Sequence, residues 1–300
     1  MRLRQIEDFL AVVEAGGIRA AARKLGVSQP AITKSMHRLE ADLGAQLVQR
    51  TPHGILLTST GRAFFERVRV AHAELRRAED EAAQGAPSGG SVDFGVGPTA
   101  AVLVVPESIA GFRKQYPHAA IRIVEGFAPQ LIPLVRDGSL DFAVGARLQS
   151  TADTSLTFKP LFVHQLVVAA RKGHPLRNTR SLKDLTGAEW VHLVPPGYDY
   201  SPLKRAFATV GLPVPGHAIQ CESLNTLVAL LMQSNMLGIM TNRMLAKPLA
   251  GDFLDAVPVA ESLPAYPTHL ITRTGIALSR PAALMAKMVL QTARRLAKSA

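Results

Sequence analysis

The chain has 300 residues, 47% of them hydrophobic and 19% charged, with a formal charge of +11 and a pI near 10.2. That composition fits a globular protein of about two domains and excludes a disordered one, while the basic balance favours polyanionic or anionic partners. Cys221 is the single cysteine, which excludes an intrachain disulfide and a multi-cysteine zinc site. No apolar run reaches membrane-spanning length, and the opening residues lack the apolar core of a signal peptide, so no membrane partner and a cytoplasmic location are expected.

Leu3, Ile6, Leu10 and Val13 recur at helical spacing and predict a first amphipathic helix. Ile18, Ala21, Ala22 and Leu25 give a second, which Gly26 ends. Ser28 is a suitable N-cap for a third, and Pro30 is tolerated in its first turn. Ile32, Met36, Leu39 and Leu43 point this helix inward, while Pro30, Thr33, Lys34 and His37 lie opposite, with Gln29 at the exposed tip. Taken alone, the last two helices fit a plain helical hairpin as well as a helix-turn-helix. The segment beyond the third helix decides between them. Residues 50–58, from Arg50 to Thr58, read as a short hairpin with basic and turn residues at its tip, and residues 19–69 carry nine Lys or Arg against three acids. The reading is an all-α-rich winged helix-turn-helix that binds double-stranded operator DNA. Gln29 can pair with adenine, and Pro30 and Thr33 can pack on thymine methyls. Lys34, His37 and Arg50 suit phosphates, His53 the minor groove beside the wing, and Ser28 the start of the reading helix. The net charge is +3 over residues 1–84 and +8 over the rest, so this expectation rests on local placement and not on the pI.

After the wing, Thr58 can cap a long helix from about 60 to 84. Phe64, Val68, Ala71, Leu75, Ala78 and Ala82 alternate steps of four and three, the heptad seam of a helix that pairs with a second chain. The competing reading is an ordinary helix packed on its own domain. Residues 85–90, GlyAlaProSerGlyGly, form a linker.

From residue 91 the pattern alternates strand and helix. Strands are expected at 92–96, 121–125, 142–145, 166–170, 190–194, 217–221, 237–240 and 269–272, with helices near 101–115, 129–137, 202–210, 223–233 and 281–298. This is an α/β region with mostly parallel sheets. Gly95, Gly97 and Ala100 loosely match a dinucleotide fingerprint, which keeps an NAD(P)-linked enzyme as the alternative. However, Pro98 removes a donor the pyrophosphate would need, and the acid expected about 20 residues on is absent. The nine histidines show no metal-ligand spacing, His217 and Cys221 share a strand, and no catalytic set is visible; neither cofactor nor metal is expected. Small molecules bind beyond the carboxyl ends of strands in such folds. The candidates there are Thr99, Ala100, Phe127, Ala128, Arg147, Tyr198, Tyr200, Ser201, Ser223 and Thr241. The helix start near Thr99–Ala101 offers backbone donors to a small anion.

Ala21, Ala22, Leu25, Val27, Ser28, Gln29, Pro30, Ala31, Ile32, Leu39, Glu40, Leu43, Gly44, Leu47, Arg50, Leu57, Thr58 and Gly61 together resemble the N-terminal signature of LysR-type transcriptional regulators. Two positions depart from it: Gly17 stands where the family has Ser, and Val48 where it has Phe. The resemblance implies a DNA-binding domain at 1–59, a linker helix and hinge at 60–90, and an effector-binding domain at 91–300. The last would be two Rossmann-like subdomains arranged like a periplasmic binding protein, 91–162 with 268–300 and 163–267, the chain crossing near 161–166 and 266–270. It also implies a homodimer, a homotetramer built as a dimer of dimers, RNA polymerase as a further partner, and a small organic anion as effector, such as a carboxylate or sulfonate with an aromatic ring. The run Cys221–Leu224, with Ser-Asn before LeuGlyIleMet, resembles a toluenesulfonate-responsive branch of that family. A solute-binding protein fits less well, given the basic wing.

Overall fold

The computed structural model describes residues 1–51, 54–83, 90–147, 153–195, 201–216 and 218–298. The chain divides into two compact units, Met1–Ala86 with Arg136–Leu140, and Pro87–Val135 with Asp141–Ala300.

The first unit contains α1 (Leu3–Glu14), α2 (Ile18–Leu25), α3 (Gln29–Leu43), the antiparallel hairpin β1 (Val48–Thr51) and β2 (Gly54–Leu57), and α4 (Ser59–Ala83). Apolar residues at helical spacing meet in one core, where Phe9, Ile32, Leu39 and Leu47 are fully enclosed. Gly26 ends α2 in the left-handed conformation (φ +66°), which an L side chain resists. The inward face of α3 is shorter than its periodicity suggests: Ile32, Met36 and Leu39 are buried, but Leu43 is 36% exposed because Gly44 stops the helix there. Leu3 is likewise exposed, and α1 buries Phe9, Leu10 and Val12.

The wing is pinned from both sides. The Glu40 carboxylate accepts the Leu47 and Val48 N–H groups at 2.8 and 3.2 Å. Thr58 Oγ1 accepts the Gly61 N–H at 2.9 Å and donates to the Gln46 carbonyl at 2.7 Å, so one hydroxyl both caps α4 and anchors it to the strand ahead. Gly61 lies so close to β1 that a Cβ there would sit 1.9 Å from the Leu47 carbonyl oxygen, leaving glycine as the residue that fits.

The second unit holds two five-stranded sheets. The first has the order β4-β3-β5-β12-β6, from β3 (Ser91–Val96), β4 (Ala120–Glu125), β5 (Phe142–Gly145), β6 (Leu156–His164) and β12 (Tyr266–Arg273). The second has the order β11-β7-β10-β8-β9, from β7 (Leu166–Arg171), β8 (Trp190–Leu193), β9 (Ala218–Cys221), β10 (Leu237–Thr241) and β11 (Leu254–Val257). The helices are α5 (Pro98–Leu103), α6 (Val105–Arg113), α7 (Ala128–Arg136), α8 (Pro202–Thr209), α9 (Leu224–Gln233), α10 (Asn242–Leu245), α11 (Pro248–Gly251) and α12 (Arg280–Lys298), with a 3-10 turn at Leu182–Leu185.

Three expectations are corrected here. The sheets are not mostly parallel: β3–β4, β3–β5, β10–β8 and β8–β9 are parallel, but β12 and β6 join one sheet, and β7 and β11 the other, as antiparallel neighbours. Strands β6 and β11 were not expected. The single helix expected near 101–115 is two, starting at Pro98 and broken at Val104, because Pro106 supplies no N–H to continue the ladder.

The chain leaves the first sheet at His164 and enters the second at Leu166. Between them Gln165 ties both crossings, its carbonyl accepting the Asn242 N–H at 3.0 Å and its amide donating to the Leu263 carbonyl at 3.2 Å. Phe94 and Phe142 stack at 5.2 Å in one core. Trp190, edge-on to Phe207 and donating to the Leu185 carbonyl at 3.1 Å, anchors the other.

Candidate DNA-reading face and ligand cleft

The amphipathic period of α3 turns its inward residues to the core and leaves Ser28, Gln29, Pro30, Lys34 and His37 exposed, with Thr33 half-buried. Gln29, Pro30, Thr33, Lys34 and His37 line one shallow concavity with Arg38 and Ala41. Sequence reading missed Arg38; its place four residues beyond Lys34, on the same helix face, was the available signal. Ser28 takes the N-cap backbone conformation, and its carbonyl accepts the Ala31 N–H at 3.1 Å, but its hydroxyl makes no cap bond. The side chain of Arg50 and the whole of His53 lie outside the described residues.

Along α4 the heptad seam divides. Val68 is 7% exposed and Phe64 lies 5.5 Å from Phe9, both in the core of their own unit. These two are corrected from pairing residues to core residues, because α1 already covers them. Ala71, Leu75 and Ala78 are exposed, Leu75 by 47%. The side chain of Ala82 and the linker up to residue 89 lie outside the described residues.

In the second unit, the carboxyl ends of strands from both sheets face one cleft enclosing about 100 Å³. That is on the scale of the ~150 Å³ cavities that admit a benzene ring. Five of the expected residues line it: Thr99 and Ala100 after β3, Phe127 and Ala128 after β4, and Thr241 at the end of β10. Most of the wall is apolar, with Leu166, Leu227, Ile239, Met240 and Met244 among it. None of the described lining residues is Asp, Glu, Lys or Arg.

The other candidates go elsewhere. Arg147 is exposed and lies over the Phe158 ring at 5.3 Å, and it is not among the described residues that line the cleft. Phe158 lies on β6, a strand that was not expected. Ser201 is enclosed behind the wall, capping α8. Ser223 caps α9 and opens onto an adjoining recess with Glu125 and Glu222. Tyr198 and Tyr200 lie outside the described residues.

Two lining residues, His192 and Thr268, were missed. His192 Nδ1 lies 2.6 Å from Ser201 Oγ, and burial, followed by the nearby Lys204, lowers its pKa from the ordinary histidine value. Within the strand run TrpValHisLeuVal, His192 gave no sign of this, because its partner is nine residues away and meets it only in the fold. Thr241 is 4% exposed, and among the described residues its Oγ1 has no hydrogen-bond partner. Beside the crossing, His164 is fully enclosed, and among the described residues neither ring nitrogen has a hydrogen-bond partner. Burial first, then the charge of Arg243, lowers its pKa to about 4.

Among the described residues no group of His, Cys, Asp or Glu could hold a metal ion, and no helix is long and apolar enough to cross a membrane.

Residues 85–294 match the LysR substrate binding domain, and residues 3–62 match the bacterial regulatory helix-turn-helix protein of the lysR family. The HTH-type transcriptional regulator GalR of Pseudomonas putida is 31% identical over 285 residues, 94% of this chain and 71% of that protein. PcaQ of Agrobacterium fabrum, another HTH-type transcriptional regulator, is 27% identical over 300 residues, 99% of this chain and 96% of its own. Among solved structures, CbnR, described as a LysR family transcriptional regulator, superposes with a TM-score of 0.69 at 23% identity, covering 98% of this chain and 99% of CbnR. A full-length OxyR variant from Pseudomonas aeruginosa gives 0.68 at 19%, covering 98% and 95%. With a helix-turn-helix in one unit and an effector-type cleft in the other, the chain belongs to the LysR family of DNA-binding transcriptional regulators that carry a small-molecule-binding domain.

Proposed function

We infer that the chain is a regulator rather than a catalyst, that it reads its operator with the N-terminal part of α3, and that a small organic acid in the cleft of the second unit sets its state. The observation that carries this reading is the exposure of Gln29, Pro30, Lys34 and His37 on one face of α3, held by a core that consumes the opposite face. A duplex offers phosphates to Lys34, His37 and Arg38, and base edges to Gln29. The Thr99 and Ala100 N–H groups have no acceptor within α5 and suit the ligand's oxygen atoms, while the apolar wall suits its body. Operator binding places its work in the cytoplasm.

The exposed half of α4, at Ala71, Leu75 and Ala78, supports pairing with a second copy, which sets two reading helices about one helical turn (~34 Å) apart. A tetramer built as a dimer of such dimers, and contact with RNA polymerase, extend the same reading. The test is binding of the purified full chain to duplex DNA upstream of its own gene, with no cofactor added. Specific retention, lost on random sequence, supports the reading. In sedimentation, Leu75→Glu lowers the mass of the assembly; an unchanged mass removes α4 from the interface.

A further inference from the structure

The polar equipment of the cleft is sparse. Thr99, His192, Thr241 and Thr268 are its only polar side chains among the described lining residues, and none is acidic. Thr241 is more than nine-tenths buried with its hydroxyl unpaired, a standing cost that a ligand oxygen would remove. His192 is 9% exposed, and among the described residues its Nε2 has no protein partner.

The Ser201 pair decides what that nitrogen offers. Ser201 Oγ lies 2.6 Å from His192 Nδ1 and also accepts the Lys204 N–H, at 3.4 Å. The Lys204 N–H occupies one of the two Ser201 lone pairs, and among the described residues Nδ1 is the acceptor within reach of the hydroxyl hydrogen. A hydrogen so directed leaves the imidazole proton on Nε2, an N–H donor on a residue of the cleft wall. Strands β8 and β10 are parallel neighbours, with Val191 opposite Gly238, so His192 and Thr241 emerge at the same end of adjacent strands.

We propose that His192 and Thr241 form the head-group site of this cleft, the Nε2–H of one and the hydroxyl of the other donating to the carboxylate of a small acid whose apolar body lies against Phe127, Leu166, Ile239 and Met240. Ser201 is the positioning residue that fixes the histidine tautomer. Two neutral donors hold a carboxylate by hydrogen bonding without a cationic side chain. This assignment rests on the reading of the cleft as the effector site.

Nitrogen-15 spectra of the full chain, without ligand and with sodium benzoate, 4-methylbenzoate, phenylacetate or isovalerate as probes, test it. Without ligand His192 shows the neutral Nε2–H pattern, and the best-bound carboxylate shifts both Nε2 and the Thr241 resonances. Calorimetry gives a loss of roughly tenfold or more in affinity for that probe in His192→Leu and in Thr241→Val. His192→Gln, which keeps an N–H donor, recovers most of it. Ser201→Ala mixes the tautomers and weakens binding less than His192→Leu does. Benzamide, matching benzoate in shape without its charge, binds more weakly than benzoate. Trp190 fluorescence melting confirms that each variant is folded. A Nδ1–H tautomer in the free protein, undiminished carboxylate binding in both His192→Leu and Thr241→Val, or no binding of any of the four carboxylates overturns the assignment. Specific operator binding that persists in those cases leaves the regulator reading standing, and its absence would remove that as well.

Discussion

The reading helix and the cleft hold their polar groups in opposite states before any partner arrives. On α3, Gln29, Pro30, Lys34 and His37 stand in water, so their folded arrangement costs little and a substitution there changes recognition without touching the core. On the cleft wall Thr241 and His192 are 4% and 9% exposed, and Ser201 behind them is 2% exposed. Their polar atoms leave water during folding, and Thr241 Oγ1 gains no bond in return. One surface is a set of side chains that a rigid platform displays. The other is a set that the fold itself has partly desolvated, so changes there alter stability and ligand affinity together.

The sharpest way to break the comparison is to remove the platform. A methyl group at Gly61 would overlap the Leu47 carbonyl, which is backbone and cannot rotate away. Gly61→Ala should therefore destabilise the first unit by roughly 3 kcal/mol or more and abolish operator binding, although every residue of the reading face is retained. Trp190 lies in the second unit, so its fluorescence melting should stay near wild type. Intact operator binding in this variant would show that the wing and α4 can move apart without disturbing α3.

Acid provides the matching test for the second unit. His164 has a folded pKa of about 4 against an ordinary 6.5, because burial disfavours the imidazolium. In the unfolded chain it takes up a proton near pH 6.5, while the native chain refuses one until about pH 4. Its contribution is thus fully present above pH 6.5 and is lost as pH falls toward 4, by up to about 3 kcal/mol. Trp190-monitored denaturation should show that slope, and His164→Phe, which keeps a ring against Phe162, should flatten it. Parallel curves for the two proteins would mean that the acid sensitivity comes from other groups.

Specificity is the next effect in size. Gln29→Ala should cost about 1–3 kcal/mol on the operator and relax base preference, whereas Lys34→Ala should weaken all duplexes and lower the salt slope by about one. Neither should alter thermal stability appreciably, since both side chains are exposed. Anisotropy titrations on operator and scrambled duplex, across a salt series, separate the two. Equal losses on both duplexes for Gln29→Ala would sink its base-reading role.

The same contrast explains what could be read from residues alone. The DNA-reading face lies within one helix, whose 3.6-residue period shows directly in Ile32, Met36 and Leu39. Central strands such as β5, buried on every residue, announce themselves as apolar runs. The two missed strands, β6 and β11, are both sheet edges. There half the side chains face water, Lys159 and Pro160 interrupt the run, and proline is tolerated because the edge needs no donor. Missing β6 also misplaced Arg147, whose aromatic partner Phe158 lies on that strand. The seam of α4 shows a different limit. Heptad spacing reports that a face is apolar, not which surface covers it, and at Phe64 and Val68 the cover is Phe9 and its neighbours. The His192–Ser201 bond joins a strand to a helix cap, and no local pattern encodes it.

The smallest expected effect isolates display from folding at a single atom. Ser28 stands at the N-cap of α3, where truncating a serine to alanine usually costs ~1 kcal/mol because the hydroxyl binds a backbone N–H of the first turn. Here that bond is absent. The backbone takes the cap conformation, the Ser28 carbonyl receives the Ala31 and Ile32 N–H groups, and the exposed hydroxyl is left to a partner. Ser28→Ala should therefore lower the stability of the first unit by only a few tenths of a kcal/mol, within the range of ordinary surface changes. If the hydroxyl donates to a DNA phosphate, the same variant should lose about 1 kcal/mol on operator and random duplex alike, since a phosphate contact carries no sequence preference. Melting of the first unit and anisotropy on both duplexes, measured on one preparation, decide the matter. A full cap-sized loss of stability with unchanged DNA affinity would show that Ser28 belongs to the platform and not to the reading face.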